Sequence, residues 1–321
     1  MTFRRFTQIA LVAAGSALAG AAAHADGDPR IKETVVYKTV GPTAIHADVY
    51  RAAGDPPRPV LVWIHGGALI MGNRDGVPGN LLELARANNY VLISIDYRLA
   101  PEVKLPEIID DVKDAFRWIH GEARERLHLD PQRLVVAGGS AGGYLTMMTG
   151  ICVTPRPKAL VAYWGYGDVD GPWYTEPSAH YRQAGLVAKE EAYRAVGGAV
   201  TTGADRRPRA RYYLYLRQNG LWTREVAGFD PSTERSKLDP FCPVRNITAD
   251  YPPILMVHGT ADTDVPYQES ADMAAALKKQ GVPHELITVE GGGHGLGDRA
   301  NPAVIDAHER ALAFIRRHLA P

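Results

Sequence analysis

With 321 residues, 45% of them hydrophobic, the chain has the length for one large or two small packed domains. Its 36 basic side chains balance 36 acidic ones, and a net charge of zero leaves no broad positive face for a nucleic acid. The local exception is "RRPRARYYLYLR", Arg206 to Arg217, which reads as a solvated face or a loop packed on a cap.

The chain opens on a leader. Arg4 and Arg5 precede an apolar run from Ile9 to Leu18, and Ala23-His24-Ala25 supplies an A-x-A-like cleavage site. Residues 1–25 therefore read as a secretory signal. The run is rich in Ala and Gly and falls short of the roughly 20 strongly apolar residues that a membrane span needs. The paired arginines are one element of a twin-arginine signal, although the rest of that pattern is weak. Cleavage would begin the mature chain near Asp26, in the periplasm or outside the cell. No later segment reads as membrane-spanning. In such an oxidising compartment Cys152 and Cys242 could pair, and the sequence leaves that open. Asn246-Ile247-Thr248 is a glycosylation sequon.

Past the leader, "IKETVVYKTV" and "TAIHADVYRA" are extended runs around Gly41-Pro42 and predict a strand pair. "RPVLVWIHGG" and "YVLISIDYR" are nearly unbroken apolar runs, as in strands buried on both faces of a parallel sheet. "NLLELARANN" between them is helical. "EIIDDVKDAFRWIHGEARERL" spaces Ile108, Ile109, Val112, Phe116 and Ile119 as one amphipathic helix. Then come the strand "RLVVAGG", a helix after Ser140 and the strand "KALVAYWG". The stretch from about 165 to 250 breaks this rhythm and is too long for an ordinary loop, so it predicts a helical lid. Alternation resumes with "PPILMVHG", "ESADMAAALKKQG", "HELITVEGG" and "AVIDAHERALAFIRRHL". The whole predicts one α/β domain over 26–321, a mostly parallel sheet with helices on both faces.

The segment that carries chemistry is "LVVAGGSAGGYL", in which Gly138-x-Ser140-x-Gly142 falls where a strand turns into a helix. Such a turn crowds the backbone, which glycine tolerates, and it displays the hydroxyl above the sheet edge. The Ala141 amide and the helix N-terminus point at the same spot, where negative charge can be stabilised. A serine hydroxyl is a poor nucleophile without a base and an acid to orient that base. "VHGTADTDVPY" supplies Asp262 and Asp264 after one later strand, and "VEGGGHGLGD" supplies His294 after the next. "WIHGGALIMGN" places Gly66 and Gly67 just past the third strand, where their amides could meet an oxyanion. His65 and His258 read as structural residues.

Together these pieces resemble the α/β-hydrolase superfamily, in particular its hormone-sensitive-lipase-like and related esterase branch. "HGGALIMGN" resembles the branch's HGGG-type oxyanion loop, and "IDYRLAPE" its segment after the fourth strand. "DPQRLVVAGGSAGG" and "HGTADTDVPY" are similar as well, and the order Ser…Asp…His is the superfamily's own. The resemblance spans about residues 32–319 and implies the α/β-hydrolase fold with a lid insert. It implies Ser140 as nucleophile, His294 as general base, Asp262 as the orienting carboxylate, and Gly66, Gly67 and Ala141 around the oxyanion. One departure is Ala68, where the third glycine of HGGG would stand.

The reaction implied is ester hydrolysis through an acyl-enzyme, on short-chain esters of a small molecule or of a carbohydrate, with no metal or organic cofactor. Three alternatives remain. Aromatic residues of the insert (Trp173, Tyr174, Tyr181, Tyr212, Tyr213, Tyr215, Trp222) could stack on sugars, as in an acetyl or feruloyl esterase of plant polysaccharide. A prolyl-oligopeptidase-type peptidase has a similar catalytic domain, but the residues here are too few for its propeller as well. A hydrolase-fold protein could also bind a ligand without turnover, although all three triad positions are filled. No motif speaks to oligomeric state.

Overall fold

The computed structural model describes residues 31–54 and 56–321, and the expected leader over 1–25 lies outside them. Strands β1 (Ile31–Val40) and β2 (Thr43–Arg51) form the expected antiparallel pair. In β1, Val35 and Tyr37 turn inward while Val36 is half exposed, the period of a strand with one wet face. Beyond them lie β3 (Arg58–Ile64), β4 (Val91–Ile95), β5 (Leu129–Gly139), β6 (Ala159–Tyr163), β7 (Ile254–Gly259) and β8 (His284–Val289). They form one eight-stranded sheet in the order β1-β2-β4-β3-β5-β6-β7-β8, parallel from β4 onward.

The unbroken apolar runs are explained by layers on both faces. Val60, Val62 and Ile64 of β3 join a core with helices α2 (Leu105–His120) and α4 (Ala141–Cys152). Leu61 and Trp63 join a second core with α1 (Gly79–Ala87) and the last helix, Pro302–Leu319. Each fully buried aliphatic side chain of this kind contributes on the order of 2 kcal/mol. The helix expected through Leu127 instead breaks at Gly121, and α3 (Glu122–Arg126) continues as a separate turn. Glycine lowers the cost of leaving the helix there, because it gains least from staying in one.

The sheet order places the site. From β3 the chain crosses to β4 on one side, then returns past β3 to β5 on the other. The loops leaving β3 and β5 therefore part at their carboxyl ends, and open α/β sheets bind ligands in such a crevice.

Between β6 and β7 the insert is helical, as its length predicted. It holds the short α5 (Pro172–Thr175), α6 (Ala179–Arg182) and α7 (Lys189–Ala192), the longer α8 (Arg206–Asn219) and the short α9 (Arg235–Leu238). Tyr174 and Trp222, both buried, stack at 3.8 Å to form its own small core. The basic run is α8 and not a loop, and only one side of it is a solvated face: Arg206, Arg207 and Arg211 are exposed, whereas Arg209 and Arg217 are buried. Arg209 is buried and donates to the carbonyls of Ile70 and Ala100, both at 2.9 Å, and to Glu102 at 2.6 Å. A guanidinium has enough donors to satisfy all three at once, which makes its burial tolerable.

Cys152 and Cys242 are both free thiols. Burial pushes Cys152 up to about 11 and Cys242 up to about 12, so each stays protonated near neutral pH. The sequon asparagine is engaged too: Asn246 Nδ2 donates to the carbonyls of Asp239 (2.6 Å) and Cys242 (2.8 Å). Glycosylation there would replace one of the two N–H donors and so break at least one of these contacts. Among the described residues no helix is long and apolar enough to cross a membrane.

Replacing Arg209 by Leu leaves the Glu102 carboxylate buried without its partner. Urea unfolding should show a loss of about 3–5 kcal/mol, of which Arg209→Lys recovers only part because an ammonium cannot span the same three acceptors.

Candidate active site

Ser140 directly follows the strand β5 and caps α4 with φ 57° and ψ −124°, a conformation that costs a residue with a Cβ about 1–3 kcal/mol. Its backbone is held from both sides: the amide donates to Tyr163 O in β6 (2.9 Å), and its carbonyl accepts the Tyr144 amide (3.0 Å). The side chain makes no cap bond to its helix and is free to face the crevice. Glycine at 142 is needed for space, since a Cβ there would lie 2.0 Å from the Ile64 carbonyl oxygen. Strain gathers at this edge. Ala68, Leu69, Ser140, Trp164 and Leu296, all on loops leaving the carboxyl ends of strands, are five of the seven non-glycine residues with positive φ among the described residues.

The structure brings together the three residues that the sequence proposed. His294, on the loop after β8, has Nε2 3.1 Å from Ser140 Oγ and Nδ1 2.8 Å from Asp262 Oδ2. Because the carboxylate can only accept, Nδ1 carries the hydrogen and Nε2 keeps its lone pair for the serine hydroxyl. Asp262 is fixed in turn, its Oδ1 accepting the amides of Asp264 (2.8 Å) and Val265 (2.9 Å). Buried His258 sits behind it, Nε2 3.3 Å from Asp262 Oδ2 and Nδ1 2.7 Å from Ser270 Oγ, and so braces the carboxylate.

Burial opposes charge on Asp262, yet hydrogen bonds from His258, His294 and the Val265 amide outweigh it and hold the carboxyl well below the usual range. Burial likewise opposes charge on His294. The bond to Asp262 and the field of Asp264, against a smaller opposing field from Arg206, raise that imidazole above its ordinary value. A neutral imidazole beside a hydroxyl and backed by a carboxylate can take the hydroxyl proton and be stabilised once charged.

The loop after β3 packs against the serine. Gly67 has φ 117°, and a Cβ there would stand 2.1 Å from the Met71 carbonyl oxygen. Among the described residues, the amides of Gly66, Gly67 and Ala141 donate to no carbonyl of the surrounding turns. His65 is buried, stacks on Tyr97 at 4.3 Å and is pushed down to about 4 by that burial, so it is neutral. Tyr97 Oη donates to the His65 carbonyl (2.9 Å), so the "IDYR" segment anchors this loop. From the insert, Trp222 Nε1 donates to the Ala68 carbonyl (3.2 Å).

Sequence reasoning missed a second cluster. Asp264 Oδ1 accepts from Tyr181 Oη (2.8 Å), Tyr213 Oη and Arg217 Nη1 (2.7 Å), while Oδ2 lies 3.5 Å from His294 Nε2. Arg217 is buried against the rings of Trp173, Tyr174, Tyr181 and Tyr213, 4.8–5.6 Å from their centroids. The one signal was the basic run itself, in which Tyr213 stands one helical turn before Arg217.

These groups open on a cavity of about 1440 Å³, with Tyr181 and Tyr213 of the insert on one wall and Val77, Leu81, Ile305 and Leu312 on the other. Of the seven aromatic residues considered as a sugar platform, Tyr181 and Tyr213 alone line it; Tyr174, Tyr212 and Trp222 are buried in the insert.

Family comparison supports the fold. A family model described as an alpha/beta hydrolase fold matches residues 61–297, and the chain belongs to that family. A protein of Staphylococcus aureus subsp. aureus Mu50, its function unknown, superposes with a TM-score of 0.71 at 24% identity, covering 90% of this chain and 99% of the other. Esterase 2 of Thermogutta terrifontis with butyrate bound superposes with a TM-score of 0.63 at 25% identity, covering 90% and 96%. The non-reducing polyketide synthase ausA of Aspergillus calidoustus is 27% identical over 354 aligned positions, 91% of this chain but 14% of that protein. The chain thus spans about one seventh of the length of such curated relatives.

The electrostatics can be read directly by NMR. The His294 ring should titrate above the ordinary histidine value of about 6.5, and Asp264→Asn should lower that midpoint by removing one of the two fields that raise it.

Proposed function

We propose that this protein is a serine esterase that cleaves carboxylic esters with short acyl groups. The observation that carries the reading is the single imidazole held at 3.1 Å from Ser140 Oγ and 2.8 Å from the Asp262 carboxylate. Ser140 Oγ attacks the ester carbonyl carbon as its proton passes to His294 Nε2. The amides of Gly66, Gly67 and Ala141 donate to the oxyanion, each worth on the order of 10²–10³ in rate. The imidazolium returns its proton to the leaving oxygen, releasing the alcohol and an acyl-serine. Water, deprotonated by His294, attacks that acyl carbon, and the acid leaves with Ser140 Oγ reprotonated.

Short acyl groups are supported by the Thermogutta terrifontis esterase 2 structures with butyrate and with propionate bound. A cavity of about 1440 Å³ is far larger than such an acyl group, which leaves room for a sizeable alcohol. We place the enzyme outside the cytoplasm, on the strength of the signal-like residues 1–25. Mass spectrometry of the exported protein should find a mature terminus near Asp26, and an intact Met1 would refute export by cleavage.

Ser140→Ala should abolish hydrolysis of p-nitrophenyl butyrate. Asp262→Asn should lower kcat by about 10⁴, whereas Asp264→Asn should stay within about tenfold; the reverse ranking would move the orienting role to Asp264. A prolyl peptide should resist cleavage.

Because His294 must be neutral to accept the serine proton, kcat/KM should fall as pH drops through its raised pKa. In Asp264→Asn this acid limb should move to lower pH. A profile flat from pH 8 to 5 would remove His294 from the base's role.

A further inference from the structure

Two carboxylates face His294, and acyl transfer as described uses one. Asp262 holds Nδ1, whereas Asp264 stands beside Nε2, in the wall of the cavity. The two oxygens of Asp264 are not equivalent. Oδ1 receives Tyr181 Oη, Tyr213 Oη and Arg217 Nη1, and Arg217 Nη2 also holds the residue's own carbonyl at 3.0 Å. Among the described residues Oδ2 accepts no hydrogen bond, and the His294 ring nitrogen stands 3.5 Å from it. Three donors on one oxygen fix the plane of the carboxylate and leave the lone pairs of the other toward the cavity. An acceptor so placed favours a ligand that brings a donor.

Proton traffic decides which end of an ester meets it. Taking the reading of Ser140 and His294 above as given, Nε2 returns its proton to the leaving oxygen, so the alcohol half lies beside Nε2, where Asp264 stands. A hydroxyl on the carbon next to the ester-bearing carbon would sit beside that leaving oxygen. Two adjacent oxygens can then bond separately to Nε2 and Oδ2 across the 3.5 Å between them. Charge argues for a neutral donor over an ammonium. Arg217 already neutralises Asp264, and Arg206 and Arg299 line the same cavity. We propose that Asp264, held by Tyr181, Tyr213 and Arg217 of the insert, selects monoesters of 1,2-diols through the hydroxyl next to the scissile ester.

The test compares kcat/KM for 2-hydroxyethyl butyrate and 2-methoxyethyl butyrate, which share an acyl group and differ in one donor. The wild-type enzyme should favour the hydroxy ester by about tenfold or more, and 3-hydroxypropyl butyrate, its hydroxyl one carbon further away, should lose that advantage. In Asp264→Asn the two phenols and Arg217 still require an acceptor, so the amide must turn its NH₂ toward the cavity. The ratio should then fall to near one or invert, and any change in His294 basicity cancels because both esters use the same imidazole. Glycerol monobutyrate and a monobutyrylated methyl glucoside, run alongside, distinguish an acylglycerol from an acyl sugar as the source of the diol.

Equal rates on hydroxy and methoxy esters with p-nitrophenyl butyrate still hydrolysed would overturn the proposal and leave the esterase reading standing. The same holds for a preference that survives in Asp264→Asn. Failure to hydrolyse any ester would sink both. If the asparagine variant does not fold, the wild-type ratios across the three alcohols still decide.

Discussion

Everything at this site hangs on how the backbone of Ser140 is held. At φ 57° and ψ −124° it occupies a region that an isolated chain avoids, and two main-chain hydrogen bonds, to Tyr163 and from Tyr144, keep it there. The turn closes only because α4 can press against the end of β3, which Gly142 permits by offering no Cβ to the Ile64 carbonyl. The strain is offset by the packed sheet around it. In return the hydroxyl stands clear of its own helix, at the one edge where the loops from β3, β7 and β8 can reach it.

Those loops meet the serine with groups whose charge states are set by burial and partners. Asp262 is kept ionised by four hydrogen-bond contacts in a place where a bare carboxylate would protonate. His294 stands between two carboxylates, and both favour its imidazolium. His65, by contrast, is buried against Tyr97 with no acid beside it and is pushed toward the neutral form. The two histidines are thus pushed in opposite directions, one toward the imidazolium and one toward the neutral ring, because their surroundings differ.

The insert is joined to the domain by charges as well as by its aromatic core. Arg209 ties α8 to the loops after β3 and β4 through Ile70, Ala100 and Glu102, and Arg217 ties the same helix to Asp264 beside the imidazole. Trp222 reaches the Ala68 carbonyl, so the same insert also steadies the loop that carries Gly66 and Gly67. An insert held this way is part of the site's framework. It supplies part of the wall and orients one of the two carboxylates on His294, which makes the geometry of the site sensitive to how the insert is seated.

Much of this was legible in the chain. Strands such as β3 and β4 announced themselves as nearly unbroken apolar runs, since burial on both faces disfavours polar residues. Ser140, Asp262 and His294 were legible because each follows a strand within a few residues, so local pattern and topology together place them. The break at Gly121 was masked by a hydrophobic period that continues across it. The burial of Arg209 and Arg217 was hidden because charges are ordinarily solvated, and only partners 107 and 47 positions away make their burial affordable. Cys152 and Cys242 raised a pairing that the fold does not make. The sequence by itself therefore determined which elements form and which residues stand at strand ends, since those follow from local periodicity and turn chemistry. The tertiary structure alone decided which distant charge meets which, because an ion pair or a hydrogen bond depends on a few ångströms of separation that no spacing along the chain encodes.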